Sequence, residues 1–180
     1  AEDEKVDTGA YLAARVAESH YDFVAASDWY ARALLADPVN PEMLEGAVLS
    51  EIGIGDFERA VDLANQLNSQ GSDRSQLAEF ALLAGEAQRE DFTAILAAAE
   101  AGRDVGGLAN ALVGAWAKIG AGNMSDALKD FDTLTETRGL EAYGFYHKAM
   151  ALAMAGDFQG ADDILSGKVA GPITMMRRGV

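Results

Sequence analysis

Few side chains in this sequence have the types and spacing that acid–base, nucleophilic or metal chemistry requires. Its two histidines, His20 and His147, lie far apart, and neither has a second His or a Glu at metal-ligand spacing. Asp130 and Asp132 form a carboxylate pair, but residues two positions apart do not face the same way on a helix. A nucleophilic serine such as Ser27 needs a neighbouring base, which the sequence does not indicate. The sequence therefore predicts no catalytic residue and no metal site.

The glycine and cysteine residues likewise indicate neither a catalytic site nor a cofactor site. The glycines form no Gly-x-Gly-x-x-Gly motif after a strand and no phosphate-binding run that ends in Gly-Lys-Ser or Gly-Lys-Thr. The chain has no cysteine, which removes disulfides, thiol catalysis and cysteine metal ligands together. We expect a protein that is not an enzyme and has no cofactor.

The net charge excludes one class of partner. The chain has 14 Lys and Arg residues and 29 Asp and Glu residues, for a net charge of −15. Because nucleic-acid affinity rests on cations that neutralise phosphates, this surface would repel DNA and RNA. No run of apolar residues approaches the roughly 18 that a membrane-spanning helix needs. We predict no nucleic-acid partner, no membrane insertion and a ligand that is neutral or basic.

The elements that must position any functional residue are predicted to be helices. The chain contains 35 alanines and only three prolines, and 49% of its residues are hydrophobic. Strong helix formers therefore dominate its local preferences, and the apolar fraction is sufficient for a continuous core. Composition predicts an all-α fold.

A short signal recurs along the chain with a period of 34 residues. It consists of Asp or Asn, a large apolar residue and, three positions after that residue, an alanine. The copies at Asp22 and Asp56 are 34 residues apart, and so are those at Asn123 and Asp157. Self-similarity at this period is typical of helical repeat proteins.

The third copy of the signal is irregular. The dipeptide Asp91-Phe92 lies 35 residues after its counterpart Asp56-Phe57, whereas Ala94 keeps the 34-residue spacing from Ala60. We expect the third repeat to depart from the others.

Helix start and stop residues surround each signal. Pro38 ends one helical segment, Asn40 is placed to cap the next and Pro41 to begin it. Gly53 and Gly55 permit a chain reversal before the second signal. Each repeat is therefore predicted to be a pair of helices joined by a tight turn.

These features resemble the tetratricopeptide repeat (TPR) family, whose unit is 34 residues in two antiparallel helices. The first repeat carries the resemblance most fully, through Asp22-Phe23, Ala26, Tyr30, Ala33 and Pro38. The resemblance implies a right-handed superhelical solenoid of about five antiparallel helix pairs over residues 7–170, approximately 7–40, 41–74, 75–107, 108–141 and 142–170. Residues 1–6 are expected to be an acidic flexible N-terminus, and residues 171–180 a capping segment or the truncated start of a further helix.

The resemblance also implies where a partner would bind. In this family the first helices of successive repeats line a concave groove, and the matching stripes here are partly apolar, although the first, with Tyr11, Arg15 and Glu18, is more polar. Such a stripe suits the binding of a peptide or an amphipathic helix. If instead a following helix or a second copy of the chain covers the stripe, its residues belong to a buried core and not to a ligand site. The predicted groove residues are Tyr11, Arg15, Leu49, Ile52, Leu112, Trp116, Ile119, Tyr143, Tyr146 and Met150.

The sequence thus predicts a non-enzymatic scaffold that binds a peptide, a helix or a partner subunit. Two alternatives remain at this stage: a self-associating structural module, such as a homodimer, and an accessory segment of a larger TPR protein or envelope complex. The Ala-rich, acidic composition resembles that of exported bacterial proteins, and this resemblance slightly favours a periplasmic or cell-envelope setting over the cytoplasm.

Overall fold

Residues 7–70 and 75–169 are described by the computed structural model, and these residues form ten α-helices without a strand. The chain divides into two compact units, Ala1–Asp91 and Phe92–Val180. Unit 1 contains α1 (Thr8–Ser19), α2 (Phe23–Leu34), α3 (Pro41–Ile54), α4 (Phe57–Asn68) and α5 (Gln76–Gln88). Unit 2 contains α6 (Phe92–Glu100), α7 (Gly107–Gly120), α8 (Met124–Glu136), α9 (Glu141–Met154) and α10 (Phe158–Leu165).

Each helix packs against the next one within its unit. In unit 1, α3 also contacts both α1 and α5, so these three helices lie side by side. The all-α prediction is confirmed. The division into units falls inside the irregular third repeat, between α5 and α6. The predictions for residues 1–6 and 171–180 lie outside the described residues.

The Asp or Asn of the repeated signal is the N-cap of the second helix in its repeat. The Asp22 carboxylate accepts a hydrogen bond from the backbone N–H of Ala25 at 3.1 Å, and Asp56 accepts one from Arg59 at the same distance. Such a cap satisfies a backbone donor that has no partner in the first turn and stabilises a helix by about 1 kcal/mol. The same cap occurs at Asn123 and Asp157.

The residue before this Asp or Asn has a left-handed backbone in all five turns. Glycine, which adopts that conformation without strain, supplies it at Gly55, Gly122 and Gly156, with φ of 83°, 85° and 87°. Tyr21 and Glu90 adopt it with φ of 58° and 55°. The left-handed backbone of these two residues costs about 1–2 kcal/mol, because each has a Cβ.

The start of α3 confirms the predicted helix signals. Asn40 is the N-cap, its side chain accepts a hydrogen bond from the backbone N–H of Met43, and Pro41 is the first helical residue. Gly55 ends the helix with the predicted left-handed backbone, whereas Gly53 lies inside α3. A Cβ at Gly53 would overlap the Phe23 ring, so this glycine serves close packing of α3 on α2.

The alanines of the repeated signal are buried in the core, where small side chains allow neighbouring helices to approach closely. Ala26, Ala60 and Ala127 are fully buried, and Ala161 is 6% exposed. In the third repeat Ile95 is buried and Ala94 is only half-buried. Ile95 lies three positions after Phe92, the first residue of α6, so this repeat follows the register of its own first helical residue, as each of the others does.

The crossing at Ala60 gives a first testable prediction. Ala60→Leu should lower the free energy of unfolding by ~1–3 kcal/mol, because the added side chain has no space at a fully buried helix contact. Ala87→Leu on the exposed face of α5 is the matched control and should change stability by less than about 0.5 kcal/mol. Urea unfolding measures both, and an Ala60→Leu protein as stable as the wild type would contradict this placement.

The left-handed turn at Glu90 gives a second prediction. Glu90→Gly should raise the free energy of unfolding by ~0.5–1 kcal/mol, since relief of the backbone strain exceeds the added entropy of the unfolded chain. Glu58→Gly within α4 should instead lower it by about 1 kcal/mol. If both variants were destabilised to the same extent, the turn would not be strained.

Candidate functional site

A cavity of about 410 Å³ opens on the face of unit 1 that α1, α3 and α5 form side by side. Three of the predicted groove residues, Tyr11, Arg15 and Leu49, line it. We call this cavity the first-helix groove. The other residues that line it are Glu18, Glu42, Glu45, Gly46 and Leu77.

Two carboxylates of the groove are held by side chains from neighbouring helices. The hydroxyl of Tyr11 on α1 donates a hydrogen bond to Oε2 of Glu42 on α3, at 3.2 Å. The hydroxyl of Ser75, the N-cap of α5, donates one to Oε1 of Glu45 at 2.7 Å. Glu42 and Glu45 are one turn apart on α3 and so share a helix face. Both carboxylates remain exposed and have further oxygen lone pairs available to a ligand.

The third carboxylate, Glu18, is engaged more fully. Tyr30 donates a hydrogen bond to its Oε2, and Nη1 of Arg15 lies 3.4 Å from its Oε1. Burial, together with the hydrogen bond to Glu18, raises the pKa of the Tyr30 hydroxyl, which therefore stays protonated as a donor. Hydrogen bonding with Tyr30, reinforced by the charge of Glu18, raises the pKa of the Arg15 guanidinium. One end of the groove is thus close to charge-neutral.

Gly46 makes this arrangement sterically possible. It is buried on α3, and a Cβ at this position would overlap the Tyr30 ring. The missing side chain lets the fully buried Tyr30 pass against α3 and place its hydroxyl on Glu18. Tyr11 packs against the same ring, with the two ring centroids 6.5 Å apart.

The predicted and observed groove residues of unit 1 overlap in part. Ile52 packs against the buried cluster that contains Leu44 and Val48, and it is not among the residues that line the groove. Glu42 and Glu45 were not predicted as groove residues. Their positions relative to Leu49 follow helical spacing, so a face-by-face comparison of α3 would have found them.

Unit 2 holds the remaining predicted residues, and Trp116 lies at the centre of an aromatic cluster there. Its indole N–H donates a hydrogen bond to Nδ1 of His147 at 3.0 Å, and its ring meets the edge of Phe131 at 5.8 Å. The His147 ring stacks on Phe131, and Tyr146 meets it edge-on. The polar atom of Trp116 is therefore already bonded within the unit.

The other predicted residues of unit 2 are partly buried. Leu112 and Ile119 on α7 pack, as Trp116 does, against the buried cluster that contains Ala115 and Phe131. Tyr143 and Met150 lie on α9 and are half-buried. Their role in binding stays a prediction.

A buried carboxylate that sequence reasoning missed links three helices of unit 1. Glu51 on α3 is 1% exposed; it accepts a hydrogen bond from Ser27 on α2 at 2.7 Å and lies 3.1 Å from Nε of Arg59 on α4. Loss of either partner would leave a buried charge poorly compensated, which is strongly destabilising. The Ser27 hydroxyl thus has a structural partner.

Within residues 7–70 and 75–169, no group of three or more His, Cys, Asp or Glu side chains could hold a metal ion. Over the same residues, no helix has the length and apolar character to cross a membrane.

The His147 contacts give a third testable prediction. Burial lowers the pKa of His147 below its ordinary value of about 6.5, and its Nδ1 must stay unprotonated to accept from Trp116. The unfolded chain therefore binds this proton more readily than the folded chain. The stability that neutral His147 contributes is present above pH ~6.5 and is lost as the pH falls towards the folded pKa.

Urea unfolding from pH 7.5 to 5 measures this effect. We expect the decline in stability below pH ~6.5 to be smaller in His147→Phe than in His20→Gln, an exposed-site control that keeps the His147 contacts. Equal pH dependence in the wild type and His147→Phe would contradict the assignment.

Comparison with solved structures supports the repeat architecture. The chain is similar to two crystal structures of MamA, each with a TM-score of 0.69 at 15% identity; the match covers 87% of this chain and 92% of MamA in one case, and 96% and 97% in the other. It is also similar to YrrB, described as a TPR protein with an unusual peptide-binding site, with a TM-score of 0.66 at 17% identity over 93% of this chain and 87% of YrrB. No protein-family model matches the sequence, and comparison with curated proteins finds no significant match. The helices and these neighbours together show that the chain has a TPR-like, all-α helical repeat fold.

Proposed function

We propose that this protein is a non-enzymatic scaffold that binds a peptide segment of a partner protein in the first-helix groove. The observation that carries the proposal is the cavity of about 410 Å³ that the first helices of successive repeats line in unit 1. A cavity of this size lies within the range of known ligand sites, and an extended peptide can place a few of its side chains there.

The lining of the groove combines features of a recognition site. Leu49 and Leu77 supply apolar surface on α3 and α5, and Tyr11 supplies an aromatic ring with a polar tip. Aromatic anchors and apolar pockets contribute most of the binding energy in many interfaces. The carboxylates around them are positioned by Tyr11 and Ser75, so a ligand would meet groups that are already ordered.

The side chains that line the groove support binding of a ligand rather than catalysis. Neither His20 nor His147 lines the groove. Glu18, the carboxylate closest to a buried environment, accepts a hydrogen bond from Tyr30 and lies against Arg15, so both of its oxygens already have partners.

The structural neighbours favour the same function. YrrB, described as having a peptide-binding site, shares the fold of this chain, and the TPR-like fold is typical of interaction scaffolds. The predicted groove stripe of unit 2, with Leu112, Trp116, Ile119, Tyr143, Tyr146 and Met150, is proposed only as a secondary contact, because several of these side chains contribute to the interior of that unit.

Selection from a random library of displayed peptides of about twelve residues tests the proposal. We expect the wild-type protein to enrich peptides whose affinity falls about tenfold in Leu49→Asn, since that change removes apolar surface from the middle of the groove. Leu12→Asn is the matched control, because Leu12 lies on α1 at 57% exposure and does not line the groove.

Enriched peptides should bind Leu12→Asn as tightly as the wild type, and circular dichroism should show both variants folded. Failure to enrich any peptide, or equal binding by Leu49→Asn and the wild type, would contradict the proposed function.

A further inference from the structure

The charge of the first-helix groove indicates which peptides it would accept. Its lining contains three carboxylates, Glu18, Glu42 and Glu45, and one cation, Arg15. Arg15 lies against Glu18, which leaves Glu42 and Glu45 as the charges without a cationic partner in the lining. The groove is therefore net negative, and its uncompensated charge lies on the first two turns of α3.

We infer that the groove selects a basic peptide, one that places a lysine or arginine on Glu42 and Glu45 and an apolar side chain on Leu49 and Leu77. This inference rests on the proposed function and specifies its ligand. The two carboxylates are held by Tyr11 and Ser75 before any ligand arrives, so little of their side-chain entropy remains to be lost on binding.

A further feature of the lining favours a cation. Tyr11 is half-exposed beside Glu42, and a lysine or arginine over an aromatic ring gains a cation–π attraction.

The spacing of the groove also constrains the peptide sequence. Glu45 and Leu49 are four residues apart on α3, a rise of about 6 Å along the helix axis. In an extended peptide, residues two positions apart point to the same side and are about 6.5 Å apart. The expected motif therefore has a basic residue and an apolar residue separated by one position.

A partner of a different kind fits this groove better than a second copy of the chain. The chain carries 29 acidic residues against 14 basic ones, so an acidic groove would meet an acidic surface in a homodimer. Charge complementarity instead favours a partner segment with net positive charge.

The selected peptides decide the inference by their composition. We expect enrichment of a lysine or arginine two positions from an apolar residue, with net positive charge throughout the selected pool. Enrichment of neutral or acidic peptides that still lose binding in Leu49→Asn would overturn the inference and leave the proposed function intact. Failure to enrich any peptide would overturn both.

Charge variants then locate the contact. For the most enriched basic peptide, fluorescence anisotropy at about 50 mM salt should show binding weakened about fivefold to twentyfold in Glu42→Gln/Glu45→Gln. Arg15→Gln should strengthen binding about twofold to fivefold, because it frees Glu18 to attract the ligand.

Glu58→Gln/Asp62→Asn is the matched control. It removes two exposed carboxylates from α4, outside the groove lining, and changes the net charge by the same amount. We expect it to leave the affinity within about twofold of the wild type. Equal weakening by both double variants would show attraction to the whole surface rather than to the groove, and would overturn the inference.

Sedimentation of the protein without peptide tests whether the chain self-associates through the groove. A dimer that forms at micromolar concentration and dissociates in Leu49→Asn would show that a second copy fills the groove, which would also overturn the inference. We expect a concentration-independent sedimentation coefficient.

Discussion

The close approach of paired helices at small, buried residues is the constraint on which the rest of this structure depends. Ala26, Ala60 and Ala127 are fully buried at equivalent positions near the start of α2, α4 and α8. A larger side chain there would push the paired helix away, and every contact that the pair makes with its neighbours would shift with it. The side-by-side placement of α1, α3 and α5, which forms the first-helix groove, follows from this spacing. The buried contact of Ser27 and Arg59 with Glu51 fixes α2, α3 and α4 further, at the cost of a charge taken out of water.

The turns set the direction of each pair. An Asp or Asn caps the second helix, and the residue before it takes a left-handed backbone, so the chain reverses within a few residues. Glycine meets this requirement at three of the five turns, whereas Tyr21 and Glu90 meet it with strain. Both strained turns lie in unit 1, and Glu90 is the second-last residue of that unit.

The fold was predictable because its cause repeats along the sequence. Capping residues, glycines and crossing alanines return with the period of the structural unit, and local signals such as Asn40 and Pro41 act over a few residues only. The sequence indicated that the third repeat is irregular without deciding its register between Ala94 and Ile95; the burial of Ile95 decides it. The site was predictable only in part. Tyr11, Arg15 and Leu49 follow from helix faces, whereas the contacts of Tyr30 with Glu18 and of Ser75 with Glu45 join residues that no local pattern relates.

The central claim is that the first-helix groove of unit 1 is the surface that recognises a partner. Nuclear magnetic resonance of the labelled protein, titrated with the most enriched basic peptide, tests this most directly because it reports on every backbone amide at once. We expect saturable shifts to concentrate on α1, on α3 around Gly46 and Leu49, and on the start of α5. Shifts concentrated on α7 and α9, with those three helices unaffected, would contradict it.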